Sequence, residues 1–347
     1  MLRKIRNKID RLKLNLNNKT VLTEAAIGSY AVTAISAALA GAKVYALVRN
    51  SKYGTENDVI DYFDSQLNED HVSHHNLKIV HEFTNEMLNE ADIITNSGHV
   101  RPIDVGKINK IKSDAIIALM YEAWEFRKSD IDLEKCREKK IKIVATNERH
   151  PEIAVFNYLG DMAIKLVLDA GLSLYGNEFI LVSNNDFGPY ISKTLSKVVK
   201  KLGVIDLPKN FEKYDFSNNV KWLTTFPKLE IPHEYFSTEA IILNAYPFDY
   251  VWAGSGNEYL FKTEDLQSKL KFPRVLRFAG DINTDDFKKS KIPIYPKQVL
   301  SGHMGVIPSE VGLDPIINLQ IGSLKCAELA HNKEELIYNG FLIGEYL

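Results

Sequence analysis

Short apolar runs rich in β-branched residues alternate with helix-periodic stretches along nearly the whole chain, and this alternation constrains the fold more than any other feature. Residues 20–26 (TVLTEAA) read as a buried strand, 30–40 (YAVTAISAALA) as a helix and 43–50 (KVYALVRN) as a second strand. The pattern continues with a helix near 56–67, strands at 77–83, 91–96 and 114–120, a helix at 130–140 and a strand at 141–147. A long helix is expected from Pro151 to Ala170, because Pro is tolerated in a first helical turn. A second alternation follows: a strand at 177–183, a helix at 190–203 capped by Gly203, and strands at 239–246 and 274–279. Residues 205–238 show no clear pattern, and a further amphipathic helix is expected near 313–330. Strands that alternate with helices pair in parallel and are covered on both faces.

At 347 residues the chain exceeds the size at which one core usually stops growing. The reading is α/β, with two doubly wound lobes built on parallel sheets and joined by a two-helix hinge. Composition excludes several rivals. With 45% hydrophobic and 25% charged residues and a formal net charge of -2, the chain is neither disordered nor built for nucleic acid. No apolar run reaches the roughly 18 residues of a membrane span, and residues 1–19 lack a signal-peptide apolar region, so no membrane is expected. Cys136 and Cys326 stand far apart in helix-like stretches, which argues against a disulfide and fits a reducing cytoplasm. Leu2, Ile5, Ile9 and Leu12 fall at helical spacing among seven basic residues. They predict a basic amphipathic helix that packs on its own lobe or on the mate of a homodimer, with contact to anionic lipid or nucleic acid as the alternative. No metal constellation is visible, since His74 and His75 are adjacent and lack the spacing of zinc ligands.

The order of elements, the stretch DIDLEKCREKKIKIVATNERHPEIAVFNYLGDMAIKLVLDAG (130–171) and the segment SGHMG (301–305) together resemble the formate/glycerate dehydrogenase superfamily, which includes the D-2-hydroxyacid dehydrogenases. The resemblance implies Rossmann-like lobes. Residues 1–150 plus 304–347 would form the substrate-type lobe, 151–172 the interdomain helix, and 173–303 the nucleotide-binding lobe. It also implies NAD or NADP on the first strand-to-helix turn of the second lobe. That turn ordinarily reads G-x-G-x-x-G, because the chain must bend tightly and approach the pyrophosphate. Here it reads Ser183-Asn184-Asn185-Asp186-Phe187-Gly188, with Asp206 further on. Only the last glycine is present; Asn tolerates positive φ, whereas the Asp186 carboxylate would repel a pyrophosphate.

By position, the resemblance makes His303 the residue that exchanges a proton with the substrate oxygen, Arg277 the carboxylate-binding arginine and Asp281 a substitute for the acid that tunes the histidine. His99 and Arg101 follow a strand end and are expected to face a small-molecule substrate in the cleft between lobes. Glu122 is a further candidate base, or simply a surface carboxylate. The first lobe offers a competing anion site. Gly28 opens a helix after the first strand, and Arg49 follows the second strand, where a 2′-phosphate site places an arginine. The small residues there equally suit tight helix–sheet packing. The leading expectation is an NAD(P)-dependent oxidoreductase of a small hydroxy or oxo acid. The alternatives are a transferase that binds a nucleotide or S-adenosylmethionine on the same frame, and a binding protein without chemistry.

Overall fold

The computed structural model describes residues 1–68, 76–121 and 127–333. They fall into two compact units, one made of Met1–Val155 and the chain from Gly312 on, the other of Phe156–Val311. The first unit contains α1 (Leu2–Leu12), β1 (Thr20–Glu24), α2 (Val32–Leu39), β2 (Lys43–Leu47), α3 (Glu56–Asn68), β3 (Leu77–Val80), α4 (Asn85–Glu90), β4 (Ile93–Thr95), α5 (Val105–Ile108), β5 (Ile116–Ala118), α6 (Leu133–Lys139) and β6 (Lys142–Val144). Its six strands lie in the order β3-β2-β1-β4-β5-β6, and every pairing is parallel.

Successive residues of these strands serve opposite layers, as the pleat requires. Val21, Ile93, Ile116 and Val144 face one apolar cluster, whereas their neighbours Leu22, Ile94, Ile117 and Ile143 face another. Asp104, Asp132 and Thr84 cap α5, α6 and α4 by accepting main-chain N–H bonds.

The second unit holds α7 (Leu159–Asp169), β7 (Glu178–Ser183), α8 (Phe187–Leu195), β8 (Lys201–Asp206), β9 (Val220–Thr225), β10 (Ala240–Asn244), β11 (Val251–Gly254), β12 (Phe261–Lys262), α9 (Thr263–Lys269), β13 (Val275–Ala279), β14 (Asp281–Ile282), α10 (Thr284–Lys289) and β15 (Ile294–Tyr295). Its main sheet runs β15-β13-β10-β7-β8-β9, again wholly parallel; β12, β11 and β14 form a small second sheet. Read along the chain, both large sheets have the order 3-2-1-4-5-6 of the doubly wound dinucleotide-binding fold. The expected α/β class, with two such lobes, is what the structure shows.

Helix α11 (Asp314–His331) belongs to the first unit, where it packs with α1 and α2. Leu2, Ile5, Ile9 and Leu12 of α1 are buried in that cluster, so the basic helix lays its apolar stripe on its own unit. Lys8 is carried in with them and its ammonium donates to the Glu152 carbonyl; burial pushes its amine down to about 8. Cys136 and Cys326 are both buried and free, with thiols pushed up by burial to about 11 and about 12.

Two segments differ from expectation. The single helix expected over 151–170 is broken: Ala154 takes a left-handed φ of 53°, a 3-10 turn spans Val155–Tyr158, and α7 starts only at Leu159. The helix expected over 190–203 instead starts at Phe187 and ends at Leu195. Gly203, read as its cap, lies inside β8 opposite Ile180 and Lys221. A Cβ there would press on Leu223 and Tyr235, so the glycine serves close packing over the sheet. Among the described residues, no helix is long and apolar enough to cross a membrane.

Candidate functional site

In an open α/β sheet, ligands gather outside the carboxyl ends of the strands where the chain reverses its direction of winding. In the second unit this point lies between β7 and β10, and the turn 183–188 sits there as expected. Its groups are already engaged. The Phe187 N–H donates to the Asn185 side-chain oxygen at 2.9 Å, and the Asn185 N–H lies 3.4 Å from the Ser183 hydroxyl. Asn184 is stitched to Tyr246 from both sides, donating to its carbonyl and accepting from its N–H, each at 2.8 Å. Asn244, at the end of β10, donates to Ser183 and to the Asn185 side chain, each at 3.0 Å. Asp186 pairs with Lys213 at 2.9 Å.

Asp206 ends the second strand of this sheet, where a ribose-binding acid would stand, but it is 0% exposed. It accepts from the Tyr214 hydroxyl at 2.5 Å, from Asn210 at 3.1 Å and from the Leu207 N–H at 2.6 Å. Burial pushes its carboxyl up, against the pull of these donors, and burial with the adjacent carboxylate drives the Tyr214 phenol far up. Gly188 closes the network, since a Cβ there would meet the Tyr214 hydroxyl and fall 2.7 Å from both Asp206 and Ser183. Holding a dinucleotide in the glycine-rich manner takes free amides on the turn and an acid facing outward. The residues of this turn do not fit that requirement.

At the end of β13 the structure brings together the three residues expected to be catalytic. Arg277, buried, forms an ion pair with Asp281 and donates to the Gly280 carbonyl at 2.9 Å and to the His303 carbonyl at 3.3 Å. Asp281 also accepts from the Ser301 hydroxyl and from the Gly302 N–H, so it ties down the loop that carries His303. Gly305 docks on the same strand, donating to Phe278 at 2.8 Å. The His303 side chain is left exposed. Desolvation lowers the Arg277 pKa, opposed by Asp281. Arg277 thus positions the loop, with its donors turned inward rather than toward a substrate carboxylate.

The first unit reverses its winding between β1 and β4. A cavity of about 580 Å³ lies beyond the ends of β2, β3 and β4. Arg49, His99, Arg101, Lys107 and Lys110 line it, as do the carboxylates of Glu82 and Asp104 and the apolar side chains of Leu47, Phe83 and Leu88. Arg101 pairs with Asp130 at 3.2 Å. Beside the cavity, Glu24 at the end of β1 is buried and accepts the His99 N–H at 3.1 Å. Burial pushes its carboxyl up, while the His99 N–H and the charges of His99 and Arg101 pull it back. His99 and Arg101, expected to bind substrate, therefore share a cavity with Arg49, the residue singled out for a phosphate. Gly28 does not line it. Glu122, His74 and His75 lie outside the described residues. Tyr214 and Asn244 were not legible as site residues: Tyr214 falls in the patternless segment 205–238, and Asn244 reads as one polar residue in an apolar strand.

No family model matches the chain, and no curated protein matches its sequence. Solved structures do. A dipicolinate synthase chain from Bacillus subtilis superposes with a TM-score of 0.59 at 10% identity, over 93% of this chain and 100% of that one. The dipicolinate synthase chain from Bacillus halodurans gives 0.53 at 10% identity, over 91% and 97%. An NAD-dependent formate dehydrogenase from Staphylococcus aureus, solved in complex with NAD, gives 0.47 at 13% identity, over 94% and 100%. At 10% identity, the likeness to the two dipicolinate synthase chains shows a shared fold.

Proposed function

We infer that the chain is an oxidoreductase acting on a small hydroxy or oxo acid, with His303 exchanging a proton at the substrate oxygen. The observation that carries this reading is the convergence of Arg277, Asp281 and His303 at the end of β13. The loop that carries His303 is pinned through its backbone and Ser301 by a buried guanidinium–carboxylate pair, and the imidazole is exposed, open to a substrate as a general acid or base needs to be. The glycines of this loop serve the pinning: Gly302 has a φ of 74°, and at Gly305 a Cβ would collide with the Arg277 carbonyl. The dinucleotide-type strand order of both large sheets adds support, and a nicotinamide nucleotide would supply the hydride acceptor when bound. The turn 183–188 does not offer it the usual seat.

The test is turnover of a panel of small 2-oxo acids with NADH and NADPH, followed by nicotinamide absorbance, with calorimetry for nucleotide binding. His303→Ala should lower kcat by roughly 10²–10⁴-fold, the typical share of acid–base catalysis, without changing Tm. Neither turnover nor nicotinamide binding in the intact chain would overturn the reading. Unchanged turnover in His303→Ala would remove His303 from it.

A further inference from the structure

The geometry points to a nucleotide site on the first unit: the cavity beyond β2, β3 and β4 takes a nucleoside phosphate, with Arg49 and Lys110 on the phosphate and the apolar wall of Leu47, Phe83 and Leu88 on the base. Four observations carry this. The sheet beneath it has the strand order of a dinucleotide-binding fold, and the cavity spans the reversal point, with the segment after β4 on one side and residues that follow β2 and β3 on the other. The β2 side is where a residue shortly after the second strand recognises ribose or its phosphate, and here Arg49, two residues past the end of β2, lines the cavity.

Second, the charge is one-sided. Four permanent cations line the cavity against two carboxylates. Neither the Arg49 nor the Lys110 side chain has a hydrogen-bond or ion-pair partner among the described residues. An exposed arginine and lysine without counter-ions, converging on one hollow, form an attractive field for a phosphomonoester. Third, a cavity of about 580 Å³ falls in the range of small-molecule sites and pairs this charge with an apolar, aromatic-bearing wall, which a simple inorganic anion would leave unused. Fourth, the loop after β4 is held rigidly by the buried Glu24 carboxylate on the His99 N–H, and a Cβ at Gly98 would collide with that carboxylate. The site is thus shaped before any ligand arrives.

The inference does not depend on the chain being an oxidoreductase, and its test uses probes without nicotinamide. Isothermal titration of the full chain with 2′,5′-ADP, adenosine, inorganic phosphate and malate, for the wild type and for Arg49→Gln/Lys110→Gln, reads it directly. Both positions are exposed, so the double variant should keep the wild-type Tm. The expected result is that 2′,5′-ADP binds, that the other three probes bind at least roughly tenfold more weakly, and that the double variant weakens 2′,5′-ADP by roughly tenfold or more. Absence of 2′,5′-ADP binding, or binding unchanged in the double variant, would overturn the site. Phosphate or malate binding as tightly as 2′,5′-ADP would overturn the nucleoside part of it.

Discussion

The two large sheets share a strand order, yet their carboxyl edges are finished in opposite ways. In the second unit, asparagine side chains occupy the turn after β7 and cross to the strand and loop beyond, while the acid after β8 is sealed under a tyrosine. In the first unit, the segments after β2 and β4 bring an arginine and a histidine to a cavity, and the arginine has no side-chain partner among the described residues. One edge has spent its polar groups on itself; the other keeps Arg49 and Lys110 available. Strand order fixes where a ligand can sit, but only the hydrogen-bond inventory of the edge tells whether its groups are available.

The glycines give the sharpest way to break this comparison. Gly188→Val should destabilise the second unit by on the order of 3 kcal/mol, because the new atoms collide with the Tyr214, Asp206 and Ser183 network and separate its buried polar groups. Chemical denaturation would show it as a lowered midpoint. Tyr214→Phe leaves Asp206 without its closest donor and should cost about 2 kcal/mol at neutral pH. Gly28→Ala, at the corresponding place in the first unit, meets nothing within 4 Å and has a φ of 66°. Its cost should be only the backbone term of about 1 kcal/mol. A loss at Gly28 as large as that at Gly188 would mean that the first edge is closed as well.

The smallest effect depends on pH. The folded Glu24 carboxyl titrates above its ordinary range, so the folded state keeps this proton to higher pH than the unfolded chain does. Folding therefore loses stability as pH rises from the usual carboxylate range through the raised value, and the penalty persists above it. Glu24→Gln removes the charge and keeps an oxygen for the His99 N–H. It should raise stability by up to about 1 kcal/mol at neutral pH and by almost nothing in acid, as read from Tm across pH.

The frame was legible in the sequence because short apolar runs such as 44–48 and 240–243 report strands of a parallel sheet directly. Boundaries were less so. The lysines before Leu202 extended a helical period into β8, and only the packing of Tyr235 and Leu223 over Gly203 shows why that glycine lies in a strand. The three strands of the small sheet are too short to register as a pattern. At the candidate site, the family resemblance points to Arg277, Asp281 and His303, and strand ends point to Arg49, His99 and Arg101. Whether each faces outward or is consumed by a neighbour depends on residues remote in sequence. Asp206 reads as a cofactor ligand from its place in the sequence, and in the structure Tyr214 and Asn210 donate to it.

Hydrogen exchange of the intact chain with and without 2′,5′-ADP tests the contrast between the two edges most directly. The account predicts added protection at residues 47–50 and 96–110, and none at 183–188 or 206–214. Protection at 183–188, with 47–50 unchanged, would contradict it.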